Sequence, residues 1–107
     1  MGYREDVTSY LTSLEVGEVK TTAEIKKKVS RIYGTEYGSI IPSDYCYNIT
    51  NKDPQSYITD GNPRLLEQVK RGYYRYLGLN YKYNGVVTHK KIPVGEWVNG
   101  IYHPYKY

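Results

Sequence analysis

The chain has no Phe, one Trp, one Met and one Cys, and it contains no long apolar run. With Cys46 alone, an internal disulfide is excluded, and with it the small secreted scaffolds that are stapled by cystines. No stretch approaches the roughly 18 apolar residues of a membrane span, and none reads as a secretory leader. The expected compartment is therefore the cytoplasm, where the sequon Asn48-Ile49-Thr50 has no chemistry to carry. Cys46, His89 and His103 stand singly, so neither a metal site nor a Cys-His nucleophile pair is expected. No Ser-centred elbow and no phosphate-binding Gly loop occurs. The order Asp6, then Glu18-Val19-Lys20, matches the acid, acid-x-Lys order of magnesium-dependent nucleases. The acids fall on a helix and a short link, without the parallel strands that would make such ligands converge, so Glu18 and Lys20 read as solvated surface. These absences point to a protein without catalytic machinery, cofactor or metal.

What is abundant is tyrosine: 15 of 107 residues. Nearly all aromatic packing must use a ring that ends in a hydroxyl, and each buried hydroxyl needs a partner. Such residues suit a thin, half-buried sheet, and exposed ones can stack on bases or fill a partner's pocket. Hydrophobic residues at 39% and charged residues at 24% fit an ordinary folded chain, and 107 residues are enough for one core. A single domain over 1–107 is expected.

The net charge of +4 is zoned along the chain. Residues 1–18 carry one base and four acids; 20–34 carry five bases and one acid; 35–60 carry one base and four acids; 64–91 carry seven bases and one acid. Two basic stretches can form one phosphate-facing surface if the fold joins them.

Val7, Tyr10, Leu11 and Leu14 recur at helical spacing and predict a first helix over residues 4–14. Thr21-Thr22-Ala23-Glu24 reads as a capping box that opens a second helix, with Ile25, Val29 and Ile32 buried, lysines on the remaining face and Gly34 as the left-handed C-cap. Ile41-Pro42-Ser43-Asp44 reads as the start of a third helix running to about Thr50. Residues 51–63, rich in Pro, Gly, Asn and Asp, read as a loop. Lys70-Arg71-Gly72 marks a basic hairpin tip. Asn84-Gly85 and Asn99-Gly100 each predict a two-residue hairpin turn. The expected fold is α+β: three N-terminal helices followed by a small antiparallel sheet of hairpins, with helices and wing in 1–77 and additional hairpins in 78–107.

Three helices followed by Leu66-Glu67-Gln68-Val69-Lys70-Arg71-Gly72-Tyr73-Tyr74-Arg75-Tyr76-Leu77 resemble the winged-helix variant of helix-turn-helix domains. The string Gly38-Ser39-Ile40-Ile41-Pro42-Ser43-Asp44-Tyr45-Cys46-Tyr47-Asn48 is similar to one in small uncharacterised bacterial and phage domains, some attached to nucleases. The resemblance implies a non-catalytic module, phage or mobile-element encoded, that binds double-stranded DNA. It places the third helix in the major groove, with Ser43, Tyr47 and Asn48 as base or phosphate contacts. Lys26, Lys27, Arg31 and Lys52 then position the backbone, and Lys70, Arg71 and Arg75 serve the wing. The competing expectation is a protein-interaction module, an inhibitor or adaptor of a host protein, which uses Tyr73, Tyr81, Tyr83 and Trp97.

Overall fold

In the computed structural model, which describes residues 3–106, helix α1 (Tyr3–Leu11) leads into strand β1 (Val19–Thr21) and helix α2 (Thr22–Tyr33). Two 3-10 turns follow (Tyr37–Ser39 and Pro42–Tyr45), then β2 (Ile49–Thr50) and α3 (Pro54–Thr59). The remainder is strand: β3 (Leu66–Lys70), β4 (Tyr73–Tyr76), β5 (Gly85–His89), β6 (Ile92–Val98) and β7 (Ile101–Pro104). Among the described residues, no helix is long and apolar enough to cross a membrane.

The local signals around α2 act as their chemistry predicts. The Thr21 hydroxyl accepts from the Glu24 N–H at 3.2 Å, and the Glu24 carboxylate accepts from the Thr21 N–H at 2.8 Å, so two orphan donors of the first turn are satisfied. Gly34 closes the helix at φ 71°, where a Cβ is unfavourable. Ile25 and Val29 are fully buried, but Ile32 in the last turn is 56% exposed, so the buried stripe is shorter than the apolar pattern.

The winged-helix arrangement is overturned. The fold is α+β with three helices, but its seven strands form two sheets, and the expected third helix from Ile41 to about Thr50 does not form. Pro42–Tyr45 makes only a short 3-10 turn, after which the chain runs extended beside β3. The Tyr47 N–H donates to the Leu66 carbonyl and the Leu65 N–H to the Tyr45 carbonyl, both at 2.8 Å. The reason is compositional. Tyr45, Cys46 and Tyr47 are all buried, so this segment is covered on both sides, and its aromatic and β-branched residues suit a strand better than a helix.

The third helix lies instead in the segment expected as a loop. Asp53 caps it by accepting from the Ser56 N–H at 3.0 Å, and Pro54 occupies the first helical position. The single antiparallel sheet is replaced by an antiparallel sheet in the order β1-β4-β3 and a mixed sheet in the order β2-β5-β6-β7, in which β2 pairs with β5 in parallel.

Two of the three expected hairpins are present. Gly72, at φ 82°, turns β3 into β4, and Asn99-Gly100 turns β6 into β7 with Val98 opposite Ile101. Asn84-Gly85 makes no hairpin: Gly85 begins β5, and the turn to β6 is made by Lys90-Lys91. Asn84 serves the neighbouring turn, its side-chain oxygen accepting from the Asn99 N–H at 2.8 Å.

Two cores result. Val7, Leu11, Ile25, Val29, Ile40, Leu65 and Leu66 pack with Tyr10, Tyr45, Tyr74 and Tyr76 between the helices and the first sheet. Tyr57, Val87 and Val94 pack with Trp97 and Tyr102 between α3 and the second sheet. The segment 45–50 joins them. The Tyr57 hydroxyl donates toward the Cys46 and Tyr47 carbonyls, each at 3.1 Å, and the Trp97 indole donates to the Tyr47 carbonyl at 2.9 Å. The Tyr57 hydroxyl thus finds partners as its burial requires, whereas the Tyr102 hydroxyl in the same core is buried without a hydrogen-bond partner among the described residues.

Candidate nucleic-acid interface

Helical periodicity sorts the cations of α2. Ile25 and Val29 point into the core, which turns Glu24, Lys27, Lys28 and Arg31, spaced three and four apart, onto one exposed side. These four side chains line a groove of about 440 Å³, whose other border is Tyr10 and Lys20 of β1. Lys26 is rotated away from them, its ammonium 4.6 Å from the centre of the Tyr37 ring.

The groove's electrostatics favour an anion. Of its two nearby carboxylates, Glu24 is taken up by the capping box, whose Thr21 N–H holds its pKa below the usual carboxylate range. Glu18 pairs with Lys20 at 3.0 Å, and that pairing raises the lysine pKa. Lys27, Lys28 and Arg31 take part in none of the ion pairs among the described residues. The Thr22 N–H donates to the Gly72 carbonyl at 3.0 Å, which seats the Lys70-Arg71-Gly72 turn at the N-terminal end of α2.

The ten residues expected at a nucleic-acid interface do not form one surface. Lys27 and Arg31 share the groove, and Arg71 is exposed in the turn at its end. In the β1-β4-β3 register, Lys20 is opposite the core-facing Tyr74, whereas Lys70 is opposite Tyr73 and Arg75 opposite Glu67 on the alternate face. The sheet therefore stands between Lys20 and the pair Lys70 and Arg75. Lys70 sits over the Tyr73 ring at 4.3 Å, and Arg75 pairs with Glu67 at 3.4 Å.

The residues of the expected recognition helix are engaged internally. Ser43 is buried and its hydroxyl accepts from the Asn51 side chain at 2.7 Å. Tyr47 is 5% exposed and stacks on Tyr83 with ring centres 4.8 Å apart. Asn48 clasps the backbone of β3: its amide donates to the Gln68 carbonyl and its oxygen accepts from the Gln68 N–H, both at 2.9 Å. Lys52 pairs with Asp60 at 3.3 Å and lies 4.0 Å from Asp44, whose own pKa burial raises. Each of these residues has a structural partner where a ligand contact was expected.

The other charged constellation is a clamp. The Arg64 side chain is 8% exposed; its guanidinium contacts both Asp60 carboxylate oxygens at 3.1 Å and the carbonyls of Asp44 and Asn62, and lies 4.0 Å from the centre of the Tyr57 ring. A buried cation whose donors are this fully used holds the 60–64 loop to α3. Among the described residues, no three His, Cys, Asp or Glu side chains gather as a metal ion would require.

Lys20 and Lys28 belong to the groove, although the sequence reads Lys20 as solvated surface and does not single out Lys28. For Lys28 the signal is present, since Glu24, Lys27, Lys28 and Arg31 follow the spacing of one helix face.

The chain is similar to the uncharacterized protein YnaC of Bacillus subtilis (strain 168), with 40% identity over 93 residues that cover 81% of this chain and 34% of that protein. It thus spans about a third of the length of that relative. No solved structure matches it. The model of the domain of unknown function DUF7225 matches residues 3–103, nearly the whole chain, and the chain belongs to that family.

Proposed function

We propose that the domain is a non-catalytic nucleic-acid-binding module that receives the phosphate backbone of double-stranded DNA along the exposed face of α2. The observation that carries this reading is the convergence of Lys27, Lys28 and Arg31 on one groove, in which the nearby carboxylates are already engaged by a cap and by Lys20. Backbone contacts of this kind give affinity and orientation without reading sequence. The burial of Ser43 and Tyr47 and the clasp made by Asn48 take the three expected base contacts out of play, which favours sequence-tolerant binding.

The protein-interaction alternative has less to work with. Of its four aromatics, Tyr83 is 7% exposed with its hydroxyl on Glu67, and the Trp97 indole is bonded to the Tyr47 carbonyl; Tyr73 and Tyr81 remain at the surface.

The test is duplex binding followed by fluorescence anisotropy across a salt series, for the wild type and for the triple variant Lys27→Gln, Lys28→Gln, Arg31→Gln. Removing one phosphate-neutralising cation makes the plot of log affinity against log salt shallower by about 0.9, so the triple variant should have a slope shallower by about 2.7. No retained duplex at low salt, or an unchanged slope in the variant, overturns the reading.

A further inference from the structure

The β5–β6 hairpin closes through two residues only: His89 is opposite Ile92, and Lys90 and Lys91 make the turn at φ 50° and 67°. Two consecutive left-handed residues are what a tight hairpin with native strand twist demands, and Asn-Gly is the pair that adopts them at least cost. The chain uses that pair for the equivalent turn at Asn99-Gly100, with φ 50° and 83°. Among the described residues, four that are not glycine have positive φ. Two are Asn, which tolerates the conformation, and the other two are these adjacent lysines.

A long side chain with an ordinary Cβ gains nothing from that backbone, so local stability does not explain lysine here. Packing does not explain it either, since both lysines are exposed and neither belongs to any ion pair among the described residues. What the pair supplies is two cations on a tip whose position is fixed. The turn is rigidly tied at its base, because β2 pairs in parallel with β5 and the ring nitrogen Nδ1 of His89 lies 3.1 Å from the Thr50 carbonyl. Strained backbone retained at a surface position concentrates at ligand clamps and active sites, and here both strained residues carry the same charge.

We infer that the Lys90-Lys91 turn is a second phosphate-contact site, at which the two ammonium groups grip the backbone of a bound nucleic acid. The inference rests on the reading of α2 given above and adds to it a separate anchor on the second sheet.

The experiment compares the wild type with Lys90→Asn, Lys91→Gly, which removes the charges and relieves the turn, and with Lys90→Arg, Lys91→Arg, which keeps the charges. The Asn-Gly variant should melt about 5 °C higher or more. It should bind duplex about 60-fold more weakly at 0.1 M salt, with a salt slope shallower by about 1.8. The Arg pair should restore affinity and slope. An Asn-Gly variant with unchanged affinity and slope, beside a wild type that binds and an α2 triple variant with the expected shallower slope, overturns this site alone. A wild type that binds no duplex overturns both readings. A melting temperature that does not rise removes the conformational argument and the inference with it. Loss of binding to phosphatidylserine vesicles with duplex binding intact also overturns it, by assigning the tip to a membrane surface.

Discussion

Asn48 offers the sharpest test of how the two sheets are held together. Its side-chain amide copies the hydrogen-bond pattern of a strand residue, giving one donor and one acceptor to Gln68 at 2.9 Å each, just where the chain leaves the side of β3 and enters β2. Asn48→Ala removes both bonds and leaves the Gln68 N–H and carbonyl to whatever water can reach them. At about 1 to 1.5 kcal/mol for each bond, the loss is about 2–3 kcal/mol, which lowers the melting temperature of a chain this size by roughly 10 °C or more. Asn48→Asp keeps the acceptor but turns a carboxylate oxygen toward the Gln68 carbonyl. Folding then favours the protonated acid, so the introduced carboxyl has a folded pKa above its unfolded value of about 4. The clasp is therefore present below pH of about 4 and is lost as pH rises through the raised value. Urea unfolding followed by circular dichroism should show Asn48→Asp more stable than Asn48→Ala at pH 4 and no better at pH 7. An alanine variant within about 0.5 kcal/mol of wild type, the usual scatter of surface substitutions, refutes the clasp. The side chain is committed to the β3 backbone, so neither substitution should change the salt slope of duplex binding.

Two further outcomes follow from the aromatic packing. Gly95 lies against the ring of Tyr102, whose hydroxyl is within clashing distance of any Cβ placed there, and that ring is held edge-on to Tyr57 and tilted against Trp97. Gly95→Ala should cost about 1–3 kcal/mol by overpacking, read as a lower urea midpoint with unchanged m, whereas a neutral result would mean that the ring can swing aside. Burial lifts the Tyr57 phenol to about 12 and pushes Tyr45 and Tyr83 well above the usual tyrosine value. Their folded pKa values exceed the unfolded value of about 10, so their contribution is complete below pH 10 and is lost as pH rises toward 12, at up to about 1.4 kcal/mol per pH unit for each group. In a pH titration the last part of the tyrosinate absorbance should rise only together with unfolding; completion of the whole rise with the fold intact would contradict the burial of these rings.

The features legible in the sequence are those fixed by residues close together along the chain. Thr21 and Glu24 satisfy each other across one helical turn, Gly34 supplies the left-handed cap, and Asn99-Gly100 makes its own hairpin. Each is decided within a few residues. The misread features depend on distant partners. Asp44 and Pro42 announce a helix, but burial of Tyr45, Cys46 and Tyr47 between β3 and α3 holds the chain extended. Asn84-Gly85 has the chemistry for a turn, but the strand from Gly85 pairs with β6 in a register that places the reversal at Lys90-Lys91, against local preference. The same division governs the candidate site. The charge zones are visible in the sequence, and so is the face shared by Lys27, Lys28 and Arg31, because helical spacing is local. The engagement of Asn48 by Gln68, twenty residues on, of Lys52 by Asp60 and of Arg75 by Glu67 is not. A polar residue can serve a ligand only if the fold has left it without a partner of its own. The exposed face of α2 meets that condition because its nearest acids are engaged by the cap and by Lys20, and the expected recognition helix fails it because Ser43, Asn48 and Lys52 are taken up by Asn51, Gln68 and Asp60.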